Sequence, residues 1–244
     1  MERSTPSPNT RRVRLAMLVG SVIVAVCVPG MIISSSVNAL IFDAGYYASR
    51  QATYAVGRST EYTIGQLLPI NSALVLFFAD PNVTLPNALS KSGASPAVFS
   101  EREIGHMNDV RSIIRGLVTL QWWSAAIITV MIIASIYSEG RRGLRRTAGG
   151  LATGAVLTLL LIAAIGLLSL TDFERVFLTF HQLSFDNDLW LLDPRTDNLI
   201  RFFPFEFWFD ATVTVAQRSI FASVGTLLVA MIGRWILRST AVTS

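Results

Sequence analysis

His106 and His181 are the only histidines in the chain, and among side chains at their usual pKa only histidine exchanges protons readily near neutrality. Each lies just beyond a long apolar segment. Two imidazoles at one interface can serve as general base and general acid. Asp109, one helical turn past His106, and Asp193, in the turn region after His181, are carboxylates able to orient an imidazole. A lone histidine on a half-apolar face is more often a packed core residue. Having the only two on one side of a membrane shifts the balance toward chemistry.

Other chemistries use some of the same residues. His106, Asp109 and His181 could present two nitrogens and one oxygen to a metal with a position left open, although no His-Glu-x-x-His or cysteine pair supports that set. Arg115, Gln121 and Arg218 could line a transport path. Both arginines sit near span ends, where they can reach headgroups instead, and no inverted repeat marks a transporter. A non-enzymatic transporter or interaction protein is the alternative to an enzyme. Ser100 and Ser112 lie near His106, but Ser100 reads as a helix cap and no Gly-x-Ser-x-Gly elbow exists. The lone Cys27 falls inside an apolar span as a packing residue.

The elements that must position these groups follow from hydropathy and charge. The 244 residues are 52% hydrophobic and only 15% charged, with a mean hydropathy of +0.52, too apolar for one soluble domain. Four stretches reach the roughly 20 apolar residues a crossing helix needs: about 13–36, 113–137, 148–170 and 212–237. Arg3, Arg11, Arg12 and Arg14 precede the first. Arg141, Arg142, Arg145 and Arg146 crowd a short link between the second and third, and Arg234 and Arg238 close the fourth. Retained positive charge marks the cytoplasmic side, so both termini are expected there. The loops 37–112 and 171–211 are then extracytoplasmic, the second with three basic residues against eight carboxylates. The expectation is one all-α transmembrane domain over 1–244: a four-helix membrane bundle with an extracytoplasmic cap. A cleavable signal peptide ending near Val37-Asn38-Ala39 would fit the first span less well, because its apolar run is long. The pI near 9.7 reflects this topology signal and not a nucleic-acid patch. Residues 1–10 read as a loose tail.

Within the first outer loop, 46–64 fits helix or strand, and Asp80-Pro81-Asn82, Leu85-Pro86-Asn87 and Lys91-Ser92-Gly93 read as turns. Ser100-Glu101-Arg102-Glu103 is a capping box with Phe99 and Ile104 as its hydrophobic staple. A helix therefore starts near Glu101 and runs unbroken into the second span, with Arg102, His106 and Asp109 on one face. Thr171-Asp172-Phe173-Glu174 repeats the capping pattern, so the chain breaks after the third span and starts a short helix. In that helix Phe173, Phe177 and Phe180 or His181 recur at helical spacing. The aromatic group Phe202, Phe203, Phe205, Phe207, Trp208 and Phe209 suits a headgroup boundary.

Around the two histidines the sequence resembles a bacterial integral-membrane family of lipoprotein intramolecular transacylases. The first block is Glu103-Ile104-Gly105-His106-Met107-Asn108-Asp109-Val110-Arg111. The second runs from Phe180-His181-Gln182-Leu183-Ser184-Phe185 through Asp186-Asn187-Asp188-Leu189-Trp190-Leu191-Leu192-Asp193-Pro194. It continues as Thr196-Asp197, Leu199-Ile200 and Phe203-Pro204. The resemblance implies transfer of the sn-2 acyl chain of a diacylglyceryl-modified bacterial lipoprotein to the α-amino group of its N-terminal cysteine, giving the lyso-form. It implies a cell-membrane enzyme with His106 and His181 as catalytic residues and no cofactor. Asp109 or Asp193 would orient an imidazole. Arg102 and Arg111, with Asn187 and Trp190, would meet the substrate among membrane lipid. Asp109 on the same helical face favours His106 as the base.

Overall fold

The computed structural model describes residues 8–239, and among these the chain forms ten α-helices and no strand. They are α1 (Pro8–Ile41), α2 (Ala44–Thr53), α3 (Val56–Ser59), α4 (Ile64–Ala79), α5 (Leu85–Lys91), α6 (Glu101–Glu139), α7 (Arg141–Thr171), α8 (Phe173–Ser184), α9 (Asn198–Phe202) and α10 (Phe205–Ser239). Four of them, α1, α6, α7 and α10, are long and apolar enough to cross a membrane, so the all-α membrane architecture holds. The first seven residues of the expected tail, Arg3 included, lie outside the described residues. Its last three, from Pro8, already belong to α1.

The chain divides into two compact units. One comprises the chain up to 35, 119–164 and 217 onward. Val24, Val28 and Ile32 of α1 pack with Ile128 of α6. Glycines let helix backbones approach closely, as lipid-embedded helices require. A Cβ on Gly154 would sit 2.6 Å from the Val28 Cβ and 2.8 Å from the Ala25 carbonyl oxygen, and one on Gly150 would sit 2.5 Å from the Ser21 carbonyl oxygen. Ser135 and Thr147 hydroxyls bond each other at 2.6 Å between α6 and α7. The four arginines expected in a link instead open α7. The link is Gly140 alone, at φ +54°, where a glycine takes a left-handed turn without a Cβ clash. Arg146 reaches back across it to Glu139, 2.8 Å to Oε1.

The other unit comprises 36–118 and 165–216. The segment 46–64, open to helix or strand from sequence, is helical over 46–53 and 56–59 and irregular at 60–63; Asp43 caps α2 by accepting from the Tyr46 N–H at 2.9 Å. α4 carries a full capping box between Thr63 and Gln66 and buries Leu67, Ile70, Leu74 and Phe77 in a core with Leu85, Leu89, Phe99, Phe202, Phe203 and Phe207. Asp80-Pro81-Asn82 does turn, with the Asn82 N–H on the Asp80 carboxylate at 2.9 Å. Leu85-Pro86-Asn87, read as a turn, is the first turn of α5. Thr84 caps it, and proline is tolerated there because the N–H it lacks has no helical partner. Gly93, at φ +84°, follows its end.

Candidate active site

α6 starts as its capping box dictates. Ser100 Oγ accepts from the Glu103 N–H at 3.3 Å, and the Glu103 carboxylate accepts from the Ser100 N–H at 2.7 Å. The buried Glu103 does more than cap its own helix: its other oxygen accepts from the Leu199 N–H at 2.5 Å, serving the first turn of α9, whose own N-cap Asp197 makes no side-chain cap bond. His106 lies one turn on, only 6% exposed. The charged residues Glu101, Arg102, Glu103, Asp109 and Arg111 surround it, ahead of the apolar run of α6. The crossing stretch thus begins after this part of the helix.

α8 begins one residue later than the Thr171 box predicts, because α7 runs through Thr171. Asp172 is the cap, accepting from the Arg175 N–H at 3.0 Å. Phe173, Phe177 and His181 fall on one face. Phe173 packs edge-on to Phe205 and Phe209, and Phe177 contacts Phe205 and Trp208, which fixes the helix against the start of α10. His181 is 8% exposed. Its Nδ1 lies 2.8 Å from the Phe177 carbonyl oxygen. A carbonyl only accepts, so Nδ1 carries the hydrogen and Nε2 of the neutral ring keeps its lone pair.

The two imidazoles come together, ring centroids 6.0 Å apart, inside an aromatic shell. Phe185 stands edge-on to His106 at 5.0 Å and lies 5.6 Å from His181. Phe177, Trp190 and Phe180 surround His181 at 4.3, 5.2 and 5.3 Å. His106 Nδ1 is buried and has no hydrogen-bond partner. Burial holds both rings neutral by disfavouring the charged form. His106 is lowered to about 4, by burial first and then by His181, with Asp109 opposing. His181 is lowered by burial, with its bond to Phe177 opposing.

Asp109 spends a carboxylate oxygen on the Asn187 side-chain amide at 2.9 Å; it acts on His106 only through its charge. The Asp193 carboxylate grips Arg195 through two nitrogens, at 3.0 and 2.7 Å, and so secures the turn at 193–197. Arg102 donates to the Asp188 carbonyl at 3.1 Å. Arg111 is occupied structurally, donating to the Val83 carbonyl at 2.8 Å with its guanidinium over the Phe77 ring. Among the described residues no group of three His, Cys, Asp or Glu side chains has the geometry to hold a metal. The sequence reading missed Phe185 as the ring shared by both histidines and the second bond of Glu103. Nothing local marks Leu199 as its partner.

Four helices long and apolar enough to cross a membrane, and a unit that buries two neutral imidazoles among aromatic rings, define a polytopic membrane protein with a candidate acid–base site. Residues 22–208 match the family described as lipoprotein intramolecular transacylase Lit, and the chain belongs to that family of acyl-transferring enzymes. The fold is similar to that of the membrane integral lipoprotein intramolecular transacylase Lit from Bacillus cereus solved in meso. The TM-score is 0.75 at 18% identity, covering 94% of this chain and 99% of that one. Two further structures of the Bacillus cereus protein, with one histidine changed to arginine or to alanine, match with TM-scores of 0.73 at 20% identity. They cover 97% of this chain, and 98% and 100% of those chains respectively. At such identities the likeness is one of fold. An uncharacterized protein of Aquifex aeolicus is 29% identical over 140 residues, which is 57% of this chain and 60% of that protein's length.

Proposed function

We propose that this protein moves the sn-2 acyl chain of a diacylglyceryl-modified lipoprotein to the α-amino group of the same N-terminal cysteine, with His181 as base. The observation that carries the reading is the Nδ1 bond of His181 to the Phe177 carbonyl beside an unbonded, buried His106 Nδ1. It aims a lone pair on His181 Nε2 at whatever enters the aromatic shell. That reverses the preference for His106 as base that the position of Asp109 gave.

The amine nitrogen attacks the ester carbonyl, forming the amide C–N bond. His181 Nε2 takes the amine proton, and a His106 N–H steadies the oxyanion, which in a dry site is worth far more than in water. The C–O bond to glycerol breaks and His181 returns the proton to the glyceryl oxygen. Atoms and protons balance without nucleotide, metal or redox partner. Donor and acceptor belong to one molecule, so the aromatic walls need only fold it and exclude water. The two long outer segments face the extracytoplasmic side and the termini the cytoplasm in this reading, which puts the histidines at the depth of the headgroups. In this reading Trp190, which lies against His181, and the exposed Asn187 would touch the lipopeptide, and Arg102 is an exposed cation on the same helix as His106.

Mass spectrometry of lipoprotein N-termini from bacteria with and without this protein tests the proposal. An acyl group found on nitrogen, with a lyso-glyceryl thioether, only when the protein is present is the expected result. Unchanged N-termini would refute it.

A further inference from the structure

Both imidazoles are more than nine-tenths covered, yet a lipid ester and an amine have to reach them; from the proposed function the following takes only that requirement. The cover is the segment 185–192, which has no helix. Phe185 closes over both rings and Trp190 over His181. Its ends are fixed: the Phe185 N–H bonds the His181 carbonyl at 3.0 Å, and the Asp193 N–H bonds Asp197 Oδ2 at 2.7 Å. Its interior is self-bonded, Leu189 N–H to Asn187 Oδ1 at 3.0 Å and Leu191 N–H to the Asp188 carbonyl at 3.2 Å, so it can move as one piece.

Three contacts clamp this segment along one face of α6. Arg102 holds the Asp188 carbonyl, Leu189 lies so close over Gly105 that a Cβ there would be 2.9 Å from its Cδ1, and Asp109 holds Asn187. Positions 102, 105 and 109 share a face by their spacing of three and four. Both hydrogen bonds are exposed to solvent, where exchange with water leaves little net strength. The flanking helix α8 is held by the buried Phe173 and by the contacts of Phe177 with Phe205 and Trp208. The weakest part of the site is therefore the part that covers it.

We propose that 185–192 is a strap over the two histidines, latched to α6 by Asp109–Asn187 and Arg102–Asp188, and that it lifts to admit substrate. The chain's two histidines give a direct readout that needs no lipoprotein: carbethoxylation of imidazole by diethyl pyrocarbonate on the full-length protein in bilayers, mapped by peptide mass. The wild type is expected to react at least about tenfold slower than free imidazole, since only the open fraction reacts. Asn187→Ala combined with Arg102→Ala should raise the rate about three- to tenfold, the share of the latch that two exposed bonds supply.

A variant that merely unfolded would also react faster, so the opposite arm is needed. In a Cys27→Ala background, Arg102→Cys and Asp188→Cys joined by a cleavable bifunctional thiol reagent should slow the reaction about tenfold or more, and cleavage should restore it. A wild-type rate equal to that of free imidazole, or a bridge that changes nothing, overturns the strap. Failure of the transacylase reading would show separately, as absent acyl transfer with the labelling pattern intact.

Discussion

Lowering the pH from 8 through 6.5 should reduce kcat/KM by about one power of ten per unit, with no second limb at the ordinary imidazole value. The attacking amine and the imidazole base must both be neutral. The substrate's α-amine, with a pKa of about 8, loses its nucleophilic form roughly tenfold per unit below that value. An imidazole of ordinary pKa, about 6.5, would be roughly three-quarters protonated at pH 6 and would add a second power of ten per unit below 6.5. At the value of about 4 to which burial brings His106, about one ring in a hundred is protonated at pH 6. His181 is displaced in the same direction, so its acid limb also falls below 6.5. The plot of log kcat/KM against pH should therefore rise with unit slope and flatten above the amine pKa. The assay is transfer within a synthetic diacylglyceryl lipopeptide by the purified protein in vesicles, read by mass spectrometry. A slope steepening to two through pH 6.5 would mean that the rings titrate as if in water, and the neutral, desolvated pair would be wrong.

Changing His106 or His181 to Gln should nearly abolish transfer with insertion and folding intact, and the double variant should be little worse than the poorer single one, because groups acting as a unit are non-additive. Asp109→Asn should cost less, at most about tenfold, since its carboxylate holds Asn187 and no imidazole; a loss equal to the histidine variants would make it a proton carrier. Glu103→Gln should destabilise the fold by about 1.5–3 kcal/mol, because one of two backbone N–H groups loses a charged acceptor; an unchanged melting temperature counts against that role. Gly154→Ala should cost about 1–3 kcal/mol through its clash with α1, checked by thermal unfolding in detergent. Cysteines introduced at Asn87 and Thr196 should react with an impermeant reagent in intact cells; protection of both would invert the proposed topology.

Local chemistry made the positions of the site helices readable before their contacts. Ser100 and Glu103 state the start of α6 because a capping box satisfies two orphan N–H groups within four residues. The start of α8 is off by one, since the Thr171 side chain bonds back to the Leu168 carbonyl and leaves Asp172 to cap. α4 escaped detection because Ile64–Ala79 is apolar nearly all round: a buried helix shows no amphipathic period. Pro86 misled in the same region, as proline serves a turn and a first helical turn alike. The partners that define the site are invisible for other reasons. His181 bonds a backbone carbonyl, which any residue one turn earlier would supply, and Asn187 meets Asp109 from 78 positions away. A sequence displays which groups are present and where helices begin, but not which distant loop comes to lie on a helix face.

The choice of a backbone carbonyl rather than a carboxylate behind His181 bears on the kind of base the proposed reaction uses. A carboxylate at Nδ1 would favour the imidazolium and raise the basicity of the ring. The Phe177 carbonyl fixes the tautomer while burial still leaves the pKa below its ordinary value. A weak base suffices if the proton is removed after the amine has begun to bond to carbon, when the nitrogen carries positive charge and gives up its proton far more readily than the free ammonium does. In the proposed reaction the aromatic walls that weaken the base would also exclude water, the competing nucleophile, and strengthen the His106 contact with the oxyanion. Introducing a carboxylate beside His181, for example by Phe180→Asp, should then raise the ring's pKa yet lower transfer and increase hydrolysis of the ester. The ratio of N-acyl product to free fatty acid measures this, and a variant that transfers faster with no added hydrolysis would show that base strength, not confinement, limits the reaction.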